Sequence, residues 1–167
     1  MKDTLLPEFD QEMAATRLVL ERVPDAAFGW KPHADGYDLG GLANHLAQIP
    51  RWGHAILGQD TYDLVESPSI ADSLPAAAPT AAAVLERFDA QVREIRSALT
   101  EVADGQLLAP WALKRGSQLI LSMPRIAALR AFVVHHSIHH RGQLTVYLRM
   151  QDVAVPALYG FTADELM

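Results

Sequence analysis

Apolar positions recur along this chain at alternating spacings of three and four residues, the period of helices that bury one face. The first run is Leu6, Phe9, Met13, Thr16, Leu20 and Val23. It predicts a helix capped by Asp3 or Thr4 and ended at Val23-Pro24, with its Glu and Arg residues on a solvated face. The second, Leu42, His45, Ile49, Trp52 and Ile56, predicts a helix from about Leu39 to Leu57 that opens on Asp38. Asn44, Gln48 and Arg51 should face outward there, and Pro50 should kink the helix just past His45. The third, from about Thr80 to Val102, carries Leu85, Phe88, Val92, Ile95, Leu99 and Val102 on one face. A fourth helix starts near Pro124 and contains the stretch FVVHHSIHHRGQLTVYLR, Phe132 to Arg149. Four such periods and no sustained alternation indicate an all-α chain, one domain over residues 1–167.

The connecting segments differ in character. DAAFGWKPHADGYD sets Phe28 and Trp30 between prolines, where they should anchor the loop by packing. His33 in that turn and His54, off the second stripe, should lie at the surface. From Gly58 to Pro79 the composition turns to Pro, Ser, Asp and Ala. That connection exceeds the roughly two to eight residues that join antiparallel neighbours, so the third helix can run parallel to the second. Residues 104–122 leave room for a short hairpin around WALKRGSQLIL, with Trp111 as a packing residue. The tail DVAVPALYGFTADELM is apolar enough to pack onto the helices or onto a partner chain.

Composition narrows the function classes. With 50% hydrophobic and 20% charged residues the chain reads as a soluble globular protein, and no run of about 18 apolar residues suggests a membrane span. The charged start MKDTLLPEFDQEM gives no signal peptide, so a cytoplasmic protein is expected. A net charge of −6 without any basic run argues against nucleic acid as a partner. The absence of cysteine excludes disulfides, Cys-ligated zinc and a protein thiolate nucleophile. Any metal must be held by histidine with carboxylate or water.

Four of the seven histidines, His135, His136, His139 and His140, fall inside the fourth helical stretch. Residues four apart project from one helix face, so either 135/139 or 136/140 is spaced to grip one ion. Arg130, Ser137, Arg141 and Thr145 cluster in one arc and mark the expected exposed side. His136 and His140 then continue a stripe of Leu129, Val133, Leu144 and Tyr147, whereas His135 and His139 run with Ala128, Ala131, Gly142 and Val146, a strip suited to close helix packing. Periodicity favours 136/140 only weakly. Burying several histidines together without a metal would leave ring nitrogens to satisfy, and His45 adds a third on a core stripe of another helix. The zincin pattern is absent, because Ser137 stands where its glutamate would act.

Along most of its length the chain resembles the DinB/YfiT-like family of metal-dependent enzymes. The resemblance is carried by LERVPDAAFGWKPHADGYDLGGLANHLAQIPRW, W-x-L-x-x-G in the connector, MPR, HHSIHHRGQLTVYLR and VPALYGFTADE. It implies a four-helix bundle with an unusual helix order, and a divalent metal held by His45, His136 and His140. His135 and His139 become supporting or packing residues. Three imidazoles leave open coordination positions, as at catalytic sites, and suit zinc or nickel, with iron or manganese as further candidates. The resemblance further implies a thiol-dependent S-transferase, in which a low-molecular-weight thiol such as bacillithiol, mycothiol or glutathione attacks a small electrophile, and a homodimer. The alternatives are a metal-dependent hydrolase and a metal-binding stress protein without turnover. No general base can be named for hydrolysis, since the fourth helix has no Asp or Glu and none lies one turn from His45.

Overall fold

The computed structural model describes residues 1–65 and 76–164. Helix α1 (Lys2–Leu20) begins a residue or two earlier than expected, with Met1 at the cap position and Asp3 in the first turn. It buries Leu5, Phe9, Met13, Thr16, Val19 and Leu20 and, against expectation, Glu12. Asp38 does open α2 (Leu39–Gln48), its Oδ1 accepting from the Gly41 N–H at 2.6 Å. Pro50 has no N–H to give the helix, and the chain passes through a 3-10 turn, Ile49–Arg51, into α3 (Trp52–Gly58). The expected kink thus divides the second helix in two.

The all-α expectation needs correction. β1 (Thr61–Asp63) pairs in parallel with β2 (Pro110–Arg115), which pairs antiparallel with β3 (Gln118–Pro124), giving a three-stranded sheet of order β1-β2-β3. The hairpin is the one the connector suggested, and Gly116 turns it at φ +58°, a conformation glycine adopts without a Cβ penalty. β1 left no trace in the pattern, because three residues cannot show an alternation and their partner, Ala112 to Lys114, lies some fifty residues away. Residues 66–75, the middle of the long connection, lie outside the described residues.

Thr80 caps α4 (Ala81–Glu101), its Oγ1 accepting from the Ala83 N–H at 3.2 Å. Val84, Phe88, Ile95 and Leu99 form the buried face of that helix. The short α5 (Asp104–Leu108) leads into the hairpin. The fourth predicted helix is one helical run of three parts: α6 (Arg125–Leu129), a π turn over Arg130–His135, and α7 (His136–Arg149). α1 and α2 each pack against both α4 and α7. Their shared core includes Phe9, Leu42, Leu46, Phe88, Ile95, Leu144 and Leu148, each such side chain contributing about 1.5–3 kcal/mol by leaving water. Trp111 is fully buried, its ring 5.7 Å from Phe132, which stacks on Trp52 at 5.9 Å. Among the described residues no helix is long and apolar enough to cross a membrane.

Two polar assignments reverse. Asn44, expected outward, is 6% exposed, because its side chain pins the segment entering α4: Nδ2 donates to the carbonyls of Gly40 and Ala78 at 3.0 Å, and Oδ1 accepts from the Ala78 N–H at 2.7 Å. On α7 the expected exposed arc is wrong, since Ser137 and Arg141 are buried. Solvent instead meets His135, His139, Gly142, Gln143 and Val146, so the strip expected to pack closely is largely a surface. Arg141 is tolerated inside because its fork is filled: it donates to the Glu12 carbonyl at 2.9 Å, the Glu12 carboxylate at 2.6 Å and Thr16 Oγ1 at 3.2 Å. It also donates to the Tyr159 hydroxyl, which donates on to Glu12 at 2.6 Å.

That tyrosine belongs to the tail, which folds back onto its own chain. Val153, Val155 and Leu158 pack against the core, and Arg149 grips both oxygens of Asp164 at 2.9 and 2.6 Å. Pairing with Arg149 and a hydrogen bond from the Val155 N–H hold the Asp164 carboxyl at about 2.

Candidate metal centre

His45 comes from α2, and His136 and His140 from successive turns of α7. Buried leucines on each side of these positions, Leu42 and Leu46 on one helix and Leu144 and Leu148 on the other, set how the two helices are rotated toward each other. The imidazoles consequently meet in the seam. One ring nitrogen from each of the three lies within 4.8 Å of the others. His136 Nε2 is 2.9 Å from His140 Nε2 and 3.4 Å from His45 Nε2.

Those separations test whether an ion fits. Two nitrogens each about 2.0–2.1 Å from one zinc stand about 2.9 Å apart at a right angle and about 3.4 Å apart at the tetrahedral angle. The two separations at His136 match, and the His45–His140 pair, within 4.8 Å, would have to stand no more than about 4.2 Å apart around a shared ion. The ring nitrogens on the far side support the same reading. His140 Nδ1 lies 2.7 Å from Gln143 Oε1, which can only accept, so the proton sits on Nδ1 and the Nε2 lone pair faces the seam.

Electrostatics keeps the three rings neutral. Burial first, then the neighbouring His140 and His136, holds His45 at about 4 instead of the usual 6.5. Burial also lowers His136, against hydrogen bonding to the Phe132 carbonyl in the π turn, and lowers His140, against the bond to Gln143. Three uncharged donors without a carboxylate can hold a divalent ion and leave its charge available to an incoming anion.

Other sequence candidates fall elsewhere. His135 is exposed and outside the trio; His139 is exposed too, its ring standing edge-on to His140 at 4.8 Å. His33 and His54 are at the surface as expected, His54 beside Glu94 at 3.2 Å. Two residues around the trio were not foreseen. Tyr37 lies nearly parallel to the His45 ring at 5.5 Å, and Gln143 supports His140. Gln143 did leave a signal, being three residues after a candidate ligand on the same helix. Tyr37 left none, because a loop brings it there. Trp30 packs as predicted, edge-on to Tyr147 at 5.7 Å.

The fold and the seam define a mostly helical protein with a small sheet and a three-histidine group able to hold a metal ion. Residues 1–166 match the DinB family, and the chain belongs to that family. It is 26% identical over 164 residues to the uncharacterized protein YrdA of Bacillus subtilis strain 168, covering 98% of this chain and 90% of the relative. Two solved structures share the fold. A DinB-like protein from Bacillus cereus ATCC 10987 superposes with a TM-score of 0.73 at 19% identity, over 94% of this chain and 97% of the other. The DinB-like protein YjoA of Bacillus subtilis gives 0.70 at 15% identity, over 93% and 96%.

Proposed function

We propose that this protein binds a divalent metal ion, zinc or nickel, through the Nε2 atoms of His45, His136 and His140, and that it is a thiol-dependent S-transferase. The framework is read as a four-helix bundle, in which α2–α3, α4, α1 and the α6–α7 run are the four members. The observation that carries the metal reading is the pair of nitrogen separations, 2.9 and 3.4 Å, between neutral imidazoles on two packed helices. With the protons of His136 and His140 on Nδ1, held by the Phe132 carbonyl and Gln143, their two Nε2 lone pairs would face each other there without an ion.

When bound, the ion would lower the pKa of a thiol at an open coordination position and hold the resulting thiolate. The chain's own residues supply position and environment. His45, His136 and His140 bring no negative charge, so an anion is the natural occupant of the remaining positions. The absence of cysteine means that the sulfur arrives with a cosubstrate. In the transfer, the sulfur lone pair forms a bond to the electrophilic carbon of a small substrate. The leaving group departs with its bonding pair, and the thiol proton goes to solvent. Neither of the ligand-bearing helices, α2 and α7, carries an Asp or Glu that could take a proton from water beside the ion, which favours thiol transfer over hydrolysis.

The test is metal analysis of untagged protein, then cobalt substitution and titration with bacillithiol, mycothiol, glutathione and cysteine. One ion per chain and a sulfur-to-cobalt absorption band with one of these thiols are expected. A bound ion indifferent to every thiol would overturn the transferase reading. No bound ion would overturn the metal reading as well.

A further inference from the structure

The structure assigns Gln143 a role that rests on the metal reading: it is the positioning residue that sets the tautomer and orientation of His140. Its Oε1 lies 2.7 Å from His140 Nδ1, one helical turn along α7. A neutral imidazole has one N–H and one lone pair, and whichever nitrogen faces an acceptor keeps the proton. The amide oxygen can only accept. It therefore fixes the proton on Nδ1 and turns the Nε2 lone pair toward His136 Nε2, 2.9 Å away.

The choice of an amide matters chemically. Histidine ligands commonly donate their second N–H to a carboxylate, which increases the ring's basicity and places negative charge near the ion. Gln143 supplies the same geometry without that charge. The seam then keeps its preference for an incoming anion, the property on which thiolate binding depends. The His140 ring stands edge-on to His45 at 4.4 Å and beside His136 and exposed His139 at 4.7 and 4.8 Å, so neighbouring rings fix its place while Gln143 fixes which nitrogen keeps the proton. Because Gln143 is itself exposed and meets His140 through its amide end, replacing it should leave the core untouched.

The experiment compares the full-length wild-type chain with Gln143→Leu and Gln143→Glu. Zinc affinity is measured by competition with a chelator at one neutral pH, and the His140 tautomer in metal-free protein by long-range proton–nitrogen NMR. The Leu variant should bind zinc about ten- to a hundredfold more weakly and move its His140 proton from Nδ1 toward Nε2, with an unchanged melting temperature. The Glu variant should restore both the affinity and the Nδ1 tautomer. Unchanged affinity in the Leu variant, while the wild type binds one ion, would overturn this role and leave the metal site standing. If the wild type takes up no zinc, the metal reading fails, and the tautomer alone then decides whether Gln143 orients His140: a Leu variant that keeps the Nδ1 proton rejects it.

Discussion

Glu12 on α1 and Arg141 on α7 form an ion pair of 2.6 Å in the interior, their side chains 10% and 1% exposed. Arg141 directly follows His140 in the chain, so the bond that ties α7 to α1 also fixes how the histidine face of α7 is turned toward α2. Removing one partner strands the other in a dry site. Arg141→Met or Glu12→Leu should each cost about 3–5 kcal/mol in denaturant unfolding, whereas the double variant should recover most of that loss. A double variant no better than the sum of the single losses would show that the two residues act independently.

The ligand assignment makes a separate prediction. His140→Ala should abolish stoichiometric zinc binding while the circular dichroism spectrum stays helical, and His135→Ala, at an exposed position outside the trio, should bind zinc as the wild type does. Metal analysis of the two purified variants decides it, and equal loss in both would sink the assignment.

Asn44 holds the entry to α4 through both the N–H and the carbonyl of Ala78. Asn44→Leu would leave those backbone groups and Arg87, which donates to Asn44 Oδ1 at 3.1 Å, short of a partner. A loss of about 1–3 kcal/mol is expected, with faster proteolysis near residues 76–80. Cleavage there at the wild-type rate would count against this anchoring.

Acid should destabilise the metal-free protein through the histidine seam. His45 is held at about 4 against an unfolded value of 6.5, and His136 and His140 are lowered in the same direction, so the unfolded chain binds more protons across this range. Stability therefore rises with pH, is complete above about 6.5, and is lost as pH falls toward about 4. Melting temperatures of chelator-treated protein at several pH values should follow that slope, and His45→Gln should flatten it. An identical slope in the variant would assign the acid sensitivity to other groups.

Much of the fold was legible because helix burial leaves a period in the sequence. The stripes through Phe9, Phe88 and Ile95, the Asp38 cap, the break at Pro50 and a hairpin within WALKRGSQLIL are all local signals, and the structure has each of them. The spacing of His136 and His140 and the stripe position of His45 are local too. What failed was the use of polarity as a stand-in for exposure. Arg141, Ser137, Asn44 and Glu12 are all buried, three of them because a partner more than thirty residues away supplies the missing charge or hydrogen bond.

The residue pattern alone established four helical periods and a set of histidines with the chemistry of metal ligands. Only the tertiary structure decided which imidazoles meet, because three rings on two helices converge only once α2 and α7 are packed and rotated by their buried leucines. The same holds for β1, whose three residues become a strand only by pairing with β2. It holds equally for the Glu12–Arg141 pair: period and spacing are properties of one segment, whereas a charge inside a protein is tolerated only through a partner that folding brings from another.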